Sequence, residues 1–447
     1  MPNRFTTFLK LHKISLLLVL IGVLCYYIFA HHLLRTDFPK LIALFAALFV
    51  VFYKLIQFEK WNYRFLLFTG ILFRIVFLFA APNLSQDFYR FVWDGQLIIN
   101  SINPYLYIPD DLIQYPNLGI PNAATLHEGM GALSARHYSN YPPLNQLLFS
   151  IAALLGGKSI LGALVAMRVM IIMADMGIFY FGRKLLKNLN QSPQMIFWYF
   201  LNPLIIIELT GNLHFEGVML FFFILSMYLL SIKKWPSAAI ALGSSIAIKL
   251  VPLLFLPLFI KYFGWKKSVA FYLLVGITGI VVFIPFYTPE FFNHYAQTLR
   301  LWFTNFEFNA GLYSVVKGIA VQFDAKPWEF IKEYGKITPI ITVITVALFT
   351  FLRNNRALSV LLSSMMWVLS IYYFIGTTVH AWYISFLILL SVFTPYKYAF
   401  VWSLAIGLSY YTYSQPNFKE SSTLLALEYS LVFAVLIYEI FAYRNKN

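Results

Sequence analysis

Ile14-Ser-Leu-Leu-Leu-Val-Leu-Ile-Gly-Val-Leu-Cys-Tyr-Tyr-Ile-Phe-Ala30 carries no charge and follows a basic start at Arg4, Lys10 and Lys13. About 20 apolar residues in an α-helix cross a hydrocarbon core of about 30 Å, and no small-residue cleavage site follows, so this run reads as a retained first membrane helix. Comparable runs recur at about 39–55, 63–82, 160–182, 193–212, 215–232, 237–261, 268–287, 337–353, 357–376, 380–394, 398–413 and 422–442. With 60% hydrophobic and 11% charged residues and a mean hydropathy of +0.72, a water-soluble domain is excluded. The alternation of a β-barrel is missing. The expected fold is therefore all-α, a polytopic bundle of about 11–14 membrane helices forming one membrane domain over 1–447.

The net charge of +15 comes from short Lys and Arg clusters beside the apolar runs. That is the positive-inside pattern and not a nucleic-acid footprint. Cys25 is the sole cysteine and lies within the first run, so neither a disulfide framework nor a thiolate metal site is expected. With the N-terminus inside, three crossings place residues 83–142 outside, in a bacterial periplasm or a lumen. The same count puts a second loop, 288–336, on that side. The run at 144–155 fits as a half-helix or a tilted helix, because a full crossing would move Arg183, Lys184 and Lys187 outside. The stretch 237–261 must start and end inside and is too short for two ordinary crossings, so it reads as a hairpin or re-entrant pair turning near Lys249 and Pro252. An ammonium group at that depth needs a partner. Arg168 and Asp175, seven residues apart within one apolar run, read as a structural pair.

Neither outer loop has a flexible linker's composition. The first contains Pro104, Tyr105, Tyr107, Pro109, Tyr115 and Pro116, the second Phe291, Phe292, Trp302, Phe303, Phe306, Phe308 and Trp328. Interfacial helices suit such segments.

Only 18 residues are acidic, and two of them stand in Ser85-Gln-Asp-Phe-Tyr-Arg-Phe-Val-Trp-Asp-Gly95, directly after an apolar run. In a helix Asp87, Arg90, Phe91 and Asp94 occupy i, i+3, i+4 and i+7 and share one face. One carboxylate could take a proton from a substrate hydroxyl while the other, or Arg90, orients it. Equally, both carboxylates could bracket Arg90 in ion pairs. Two carboxylates supply too few ligands for a metal without help, so neither metal nor cofactor is expected.

Asp87-Phe-Tyr-Arg-Phe-Val-Trp-Asp-Gly95, followed by Asn103-Pro-Tyr105 and Tyr141-Pro-Pro143, resembles the first extracytoplasmic loop of GT-C superfamily glycosyltransferases, particularly the polyprenol-phosphate-mannose-dependent mannosyltransferases. Gly211-Asn-Leu-His-Phe-Glu-Gly217, Lys249-Leu-Val-Pro252 and His380-Ala-Trp-Tyr383 extend the likeness. Ala381 and Glu216 depart from the usual pattern, and the likeness covers about residues 60 to 385.

The resemblance implies an inverting transfer of a hexose, mannose first, from a polyprenyl-phosphate donor to a glycan or glycolipid acceptor at the outer face of the bilayer, with a first-loop acid as base. Asp87 is the first choice for that base and Asp94 the second. Arg90, Lys249, His214 and His380 are the candidates for the leaving phosphate. Candidate substrate contacts are Glu216, Tyr141, Asn103, Tyr105, Trp382 and Tyr383, with Glu307, Asn309 and Tyr313 from the second loop. A transporter or flippase of lipid-linked sugars, or a polysaccharide polymerase or ligase, is the alternative. A transporter, however, places its essential charges near the midplane in broken helices.

Overall fold

Apolar runs without an alternating pattern can satisfy their backbone inside a membrane only as helices, and the computed structural model is helical throughout, with no strand among the described residues. It describes residues 10–115 and 118–444; Arg4 and Pro116, used above, lie outside the described residues, as do the side chains of Trp302 and Phe303. Among the described residues, seven helices are long and apolar enough to cross a membrane: Lys13–His32, Phe38–Phe58, Ile160–Asn188, Trp265–Phe286, Pro327–Phe351, Leu358–Ile375 and Ser422–Ala442. Shorter apolar helices lie at Pro143–Gly156, Trp235–Ile248, Val251–Phe263 and Ala381–Phe393. The chain is a multi-pass helical membrane protein.

Its centre is irregular. Residues 193–211 form a chain of short 3-10, α and π turns, and Pro203–Gly211 meets the next helix, Glu216–Ser231, at a bend of 115°. The break frees backbone carbonyls that lipid cannot satisfy. Two buried arginines take them. Arg168 donates to Thr210 O (2.8 Å), Gly211 O (3.1 Å) and Leu78 O (2.9 Å). Arg74 donates to Phe200 O (2.8 Å) and Gly70 O (3.0 Å).

This corrects the expected Arg168–Asp175 pair. Asp175 is instead held by Arg74 Nε at 2.8 Å and by the Tyr199 hydroxyl at 3.1 Å. The i, i+7 spacing put Arg168 on the right helix face, but the freed carbonyls compete for it and the carboxylate finds a cation on another helix. A second irregularity falls at Lys249. The helix Trp235–Ile248 ends there, Lys249 is extended (φ −149°, ψ 140°), and a 3-10 segment containing Pro252 and Pro257 follows. Proline removes an amide donor at each of those positions and blocks continuation of the α-helix.

The first outer loop folds from its own motifs. The helix Asp87–Ile99 packs on Pro143–Gly156 so closely that a Cβ on Gly95 would come within 2.4 Å of Phe149 O. Asn103 Nδ2 donates to Phe286 O (3.0 Å), its Oδ1 accepts from Tyr105 N (3.0 Å), and the buried Tyr105 hydroxyl donates to Tyr141 O (2.5 Å). Pro143 then sits at the first turn of its helix, where its missing N–H costs nothing. His294 of the second loop reaches Tyr105 O (2.9 Å) and stacks on Tyr138 with ring centroids 3.8 Å apart. The two outer loops therefore meet at Asn103-Pro-Tyr105.

Two consequences are measurable by thermal melting in detergent. Gly95→Ala forces the helix off Pro143–Gly156 and should cost about 1–3 kcal/mol. Arg74→Met leaves Asp175 buried without its cation and should cost about 3–5 kcal/mol, whereas Arg74→Met combined with Asp175→Leu should restore part of that loss.

Candidate active site

Asp94 and Asp87 share a helix but not an environment. Asp94 is fully buried and accepts from Arg90 Nε (2.7 Å), Ser139 Oγ (2.7 Å) and Gln146 Nε2 (2.8 Å). Arg90 in turn donates from Nη1 to Ser134 O (2.7 Å) and His137 O (3.0 Å). Both groups are thus engaged in tying the helix to the loop that precedes Pro143. Asp87, at the first turn of the same helix, forms no salt bridge among the described residues. It is partly accessible.

The groups in electrostatic reach of Asp87 are Lys249, Arg35 and Glu216. Burial lifts its carboxyl above the ordinary carboxylate range; Lys249 and Arg35 pull the other way, and Glu216 adds to the rise. Lys249, at the break of its own helix, forms an ion pair with Glu216 in the first turn of Glu216–Ser231. Its ammonium also lies 6.0 Å from the Tyr383 ring centroid. Glu216 occupies a helix N-terminus, where a carboxylate is favoured, and binds the lysine as well. Tyr141 packs edge-on to Phe91 (5.0 Å) and Phe149 (5.5 Å), and its phenol lies in reach of the charges of Asp87, Arg90, Asp94 and Glu216.

The opposite wall is a stack of rings. Phe308 packs on His380 (4.9 Å), His380 on Trp382 (4.3 Å, 6°) and Trp382 on His214 (3.9 Å, 18°). Burial, with Lys249 and Arg35 adding to it, holds the His380 imidazole down to about 3. It is neutral at physiological pH. Its Nδ1 is buried without a hydrogen-bond partner. His214 follows Leu213, which has φ +63°, in the turn at the 115° bend, and Asn212 Oδ1 of that turn accepts from Leu84 N (3.2 Å). Asn83 Nδ2 donates to Phe29 O (2.6 Å) and Leu33 O (3.1 Å). These bonds bring the ends of three segments, near residues 33, 84 and 212, to one place.

Seven of the sequence-predicted residues therefore gather with Asp87: Glu216, Lys249, His214, His380, Trp382, Tyr141 and Tyr383. The rest lie elsewhere or are engaged. Asn103 and Tyr105 hold the two outer loops together. Glu307 pairs with Lys317 (2.7 Å) at the surface. Tyr313 is fully buried with Ala310 and Ile331. Asn309, at φ +48°, is clasped by the C-terminal segment: its amide N–H donates to Glu420, its Nδ2 to Glu428 (2.9 Å), and its carbonyl accepts from Tyr429 (2.8 Å). That clasp fixes the loop that carries Phe308, whose backbone pairs with Thr377 O (3.0 Å) and Val379 N (2.8 Å) beside His380.

Two residues of this region escaped sequence reasoning. Glu208 lies in the π turn, accepts from the Tyr410 hydroxyl and has His214 Nε2 at 3.5 Å. Its signal was an acid inside an apolar run. Arg35 lies in the short loop between the first two membrane helices, with its guanidinium 3.3 Å from the Tyr413 ring centroid. Its signal was an arginine on the side of the membrane that the positive-inside rule leaves poor in cations. Among the described residues no three His, Cys, Asp or Glu side chains come together as a metal-ligating group.

The arrangement is a group of paired charges beside an aromatic stack, with one carboxylate, Asp87, that forms no salt bridge among the described residues. It can accept a proton at Asp87 and donate hydrogen bonds from Lys249 and the imidazoles. The family model described as Alpha-(1->6)-mannopyranosyltransferase, N-terminal domain, matches residues 14–263. The match includes Asp87, His214, Glu216 and Lys249 and stops short of His380. A search of curated proteins finds no match.

The two aspartates should separate in stability. Asp94→Ala strands Arg90 in the interior and should cost about 3–5 kcal/mol in detergent melting. Asp87→Asn breaks no salt bridge and should stay within about 0.5 kcal/mol of the parent.

Proposed function

The chain belongs to the alpha-(1->6)-mannopyranosyltransferase family, membrane mannosyltransferases of GT-C type, and from that premise we propose that it transfers mannose from a polyprenyl phosphate to the primary hydroxyl of a mannose-containing glycan or glycolipid. The site then faces the periplasm of a bacterial inner membrane. The observation that carries the reading is the contrast between two carboxylates seven residues apart: Asp94 is held by three donors, one of them a cation, while Asp87 has only the Ser85 hydroxyl and no salt bridge among the described residues, beside the Glu216–Lys249 pair.

The chemistry runs as a single displacement. The acceptor oxygen attacks the anomeric carbon and forms the new C–O bond. The bond from that carbon to the phosphate oxygen breaks, and its electron pair leaves with polyprenyl phosphate. The acceptor proton passes to an Asp87 carboxylate oxygen. One displacement inverts the anomeric centre, so an α-(1→6) product requires a β-linked donor. A carboxylate whose affinity for protons is raised by burial is the better base, since its pKa lies nearer the working pH.

Lys249 stabilises the charge that develops on the phosphate, and His380, being neutral, contributes a hydrogen bond and no charge. The wall of Trp382, His214 and Phe308 excludes water from the reacting carbon, with Tyr141 and Tyr383 on the charged side. Apolar helix faces accommodate the prenyl tail, which gains about 0.8 kcal/mol for each buried methylene group.

Radiolabelled β-mannosyl phosphoryl polyprenol and a nucleotide-activated mannose, offered separately to the purified protein in liposomes, test the donor. Transfer is expected from the lipid donor alone; transfer from the nucleotide sugar alone, or lipid-sugar flipping without transfer, would overturn the reading. Asp87→Asn should lower turnover about 10²–10⁴-fold, and parental turnover in that variant removes the base assignment.

The pH–rate profile supplies a further check. The base must be ionised, so activity should fall as pH drops through a pKa above the ordinary value of about 3.9. Lys249→Gln removes a cation that lowers the Asp87 pKa, and the acid limb should move to higher pH. An acid limb at or below the ordinary aspartate value in the parent contradicts a lifted base.

A further inference from the structure

The other cations of this region are already engaged, by a carboxylate or by backbone carbonyls. Arg90 is spent on Asp94, Arg74 on Asp175 and Lys249 on Glu216. Arg168 is spent on backbone carbonyls. Arg35 forms no salt bridge among the described residues, and its Nε is buried without a hydrogen-bond partner. Its guanidinium carbon sits 3.3 Å from the Tyr413 ring centroid, and the guanidinium also hydrogen-bonds the Tyr413 side chain. A ring continues from there into the site, since Tyr413 packs on Phe308 (5.7 Å) and Phe308 on His380 (4.9 Å). The charge of Arg35 is felt at Asp87 and at His380.

A buried guanidinium nitrogen without an acceptor is costly, and the cost is removed if an acceptor arrives with the ligand. Lys249 with Glu216 is neutral as a pair, so these two residues bring no net positive charge to a phosphate. Asp87 and Glu216 would repel one. An arginine held by an aromatic face presents a planar fork that matches two phosphate oxygens, a geometry lysine cannot supply.

We infer that Arg35 is a further phosphate-binding residue of this site, supplying the net positive charge that the Lys249–Glu216 pair lacks and holding the monophosphate of the polyprenyl carrier in a bidentate grip while Tyr413 supports the guanidinium. This rests on the lipid-phosphate donor proposed above and names a residue that reads it. It also gives the loop between the first two helices a role in binding, at the point where Asn83 ties that loop to the start of the acidic helix.

Binding without turnover tests this. The full-length protein in nanodiscs is titrated with polyprenyl monophosphate and with the corresponding free polyprenol, read by intrinsic tryptophan fluorescence. The parent should prefer the phosphate, and Arg35→Gln should weaken that ligand about 10- to 100-fold while leaving polyprenol binding unchanged. Arg35→Lys, which keeps the charge and loses the fork, should fall between the two. Asp87→Asn should bind the phosphate at least as well as the parent, since a negative charge is removed. Unchanged phosphate affinity in Arg35→Gln overturns the inference and leaves the donor reading standing. An equal loss for both ligands overturns it too, because Arg35 would then act only on the fold. A parent that does not distinguish phosphate from alcohol overturns the inference together with the donor on which it rests.

Discussion

In a chain with so few carboxylates and so much of its surface in lipid, each buried charge must be met by another or by a full set of hydrogen bonds, and the Arg90–Asp94 pair is where this constraint organises the protein. The pair is closed by Ser139 and Gln146 on one side and by Ser134 and His137 carbonyls on the other. It joins the acidic helix to the loop ahead of Pro143. With Gly95 allowing backbone contact, it sets the rotation of that helix about its axis. Asp87, two turns earlier, is placed by the same rotation and forms no salt bridge among the described residues, with Ser85 as its hydrogen-bond partner.

The helices around this anchor are broken where chemistry needs polar groups. Regular α-helix presents only side chains, whereas the 115° bend and the extended Lys249 bring helix ends and charged groups into one space. The irregular segment 193–211 before the bend leaves orphaned carbonyls, and Arg74 and Arg168 satisfy them from neighbouring helices. These arginines are structural because of that duty. The C-terminal helix contributes indirectly, through Glu428, which receives Asn309 and Trp402. That clasp holds the loop whose Phe308 begins the ring stack on His380.

Much of this was legible in the residues. Apolar runs with basic flanks announce a helical membrane protein, and the family match agrees with the likeness carried by Trp93-Asp94-Gly95, Asn103-Pro-Tyr105 and Tyr141-Pro-Pro143. Those motifs turn out to be largely architectural: Trp93 is buried, Asp94 is paired, Gly95 lets two helices touch and Tyr105 bonds to Tyr141 O. A motif marks a region without distinguishing the residues that shape it from those that face its cavity. Arg35 and Glu208 went unread because each stands alone in an apolar context and their neighbours come from distant parts of the chain. Arg168 and Asp175 were misread as a pair because helical spacing knows nothing of acceptors on other helices.

Composition and periodicity by themselves determined that the chain crosses a membrane as helices, and that Asp87, Arg90 and Asp94 share one side of the acidic stretch once it is helical. These follow from local rules, since the absence of water forces backbone pairing within each segment and the helical repeat sets which residues are neighbours. Only tertiary structure decided that Asp94 is saturated, that Asp87 faces Lys249 and Glu216, and that Arg35 reaches the same place from another loop. The reason is that a charge takes its character from what surrounds it, and in this fold those surroundings are assembled from segments far apart in the sequence.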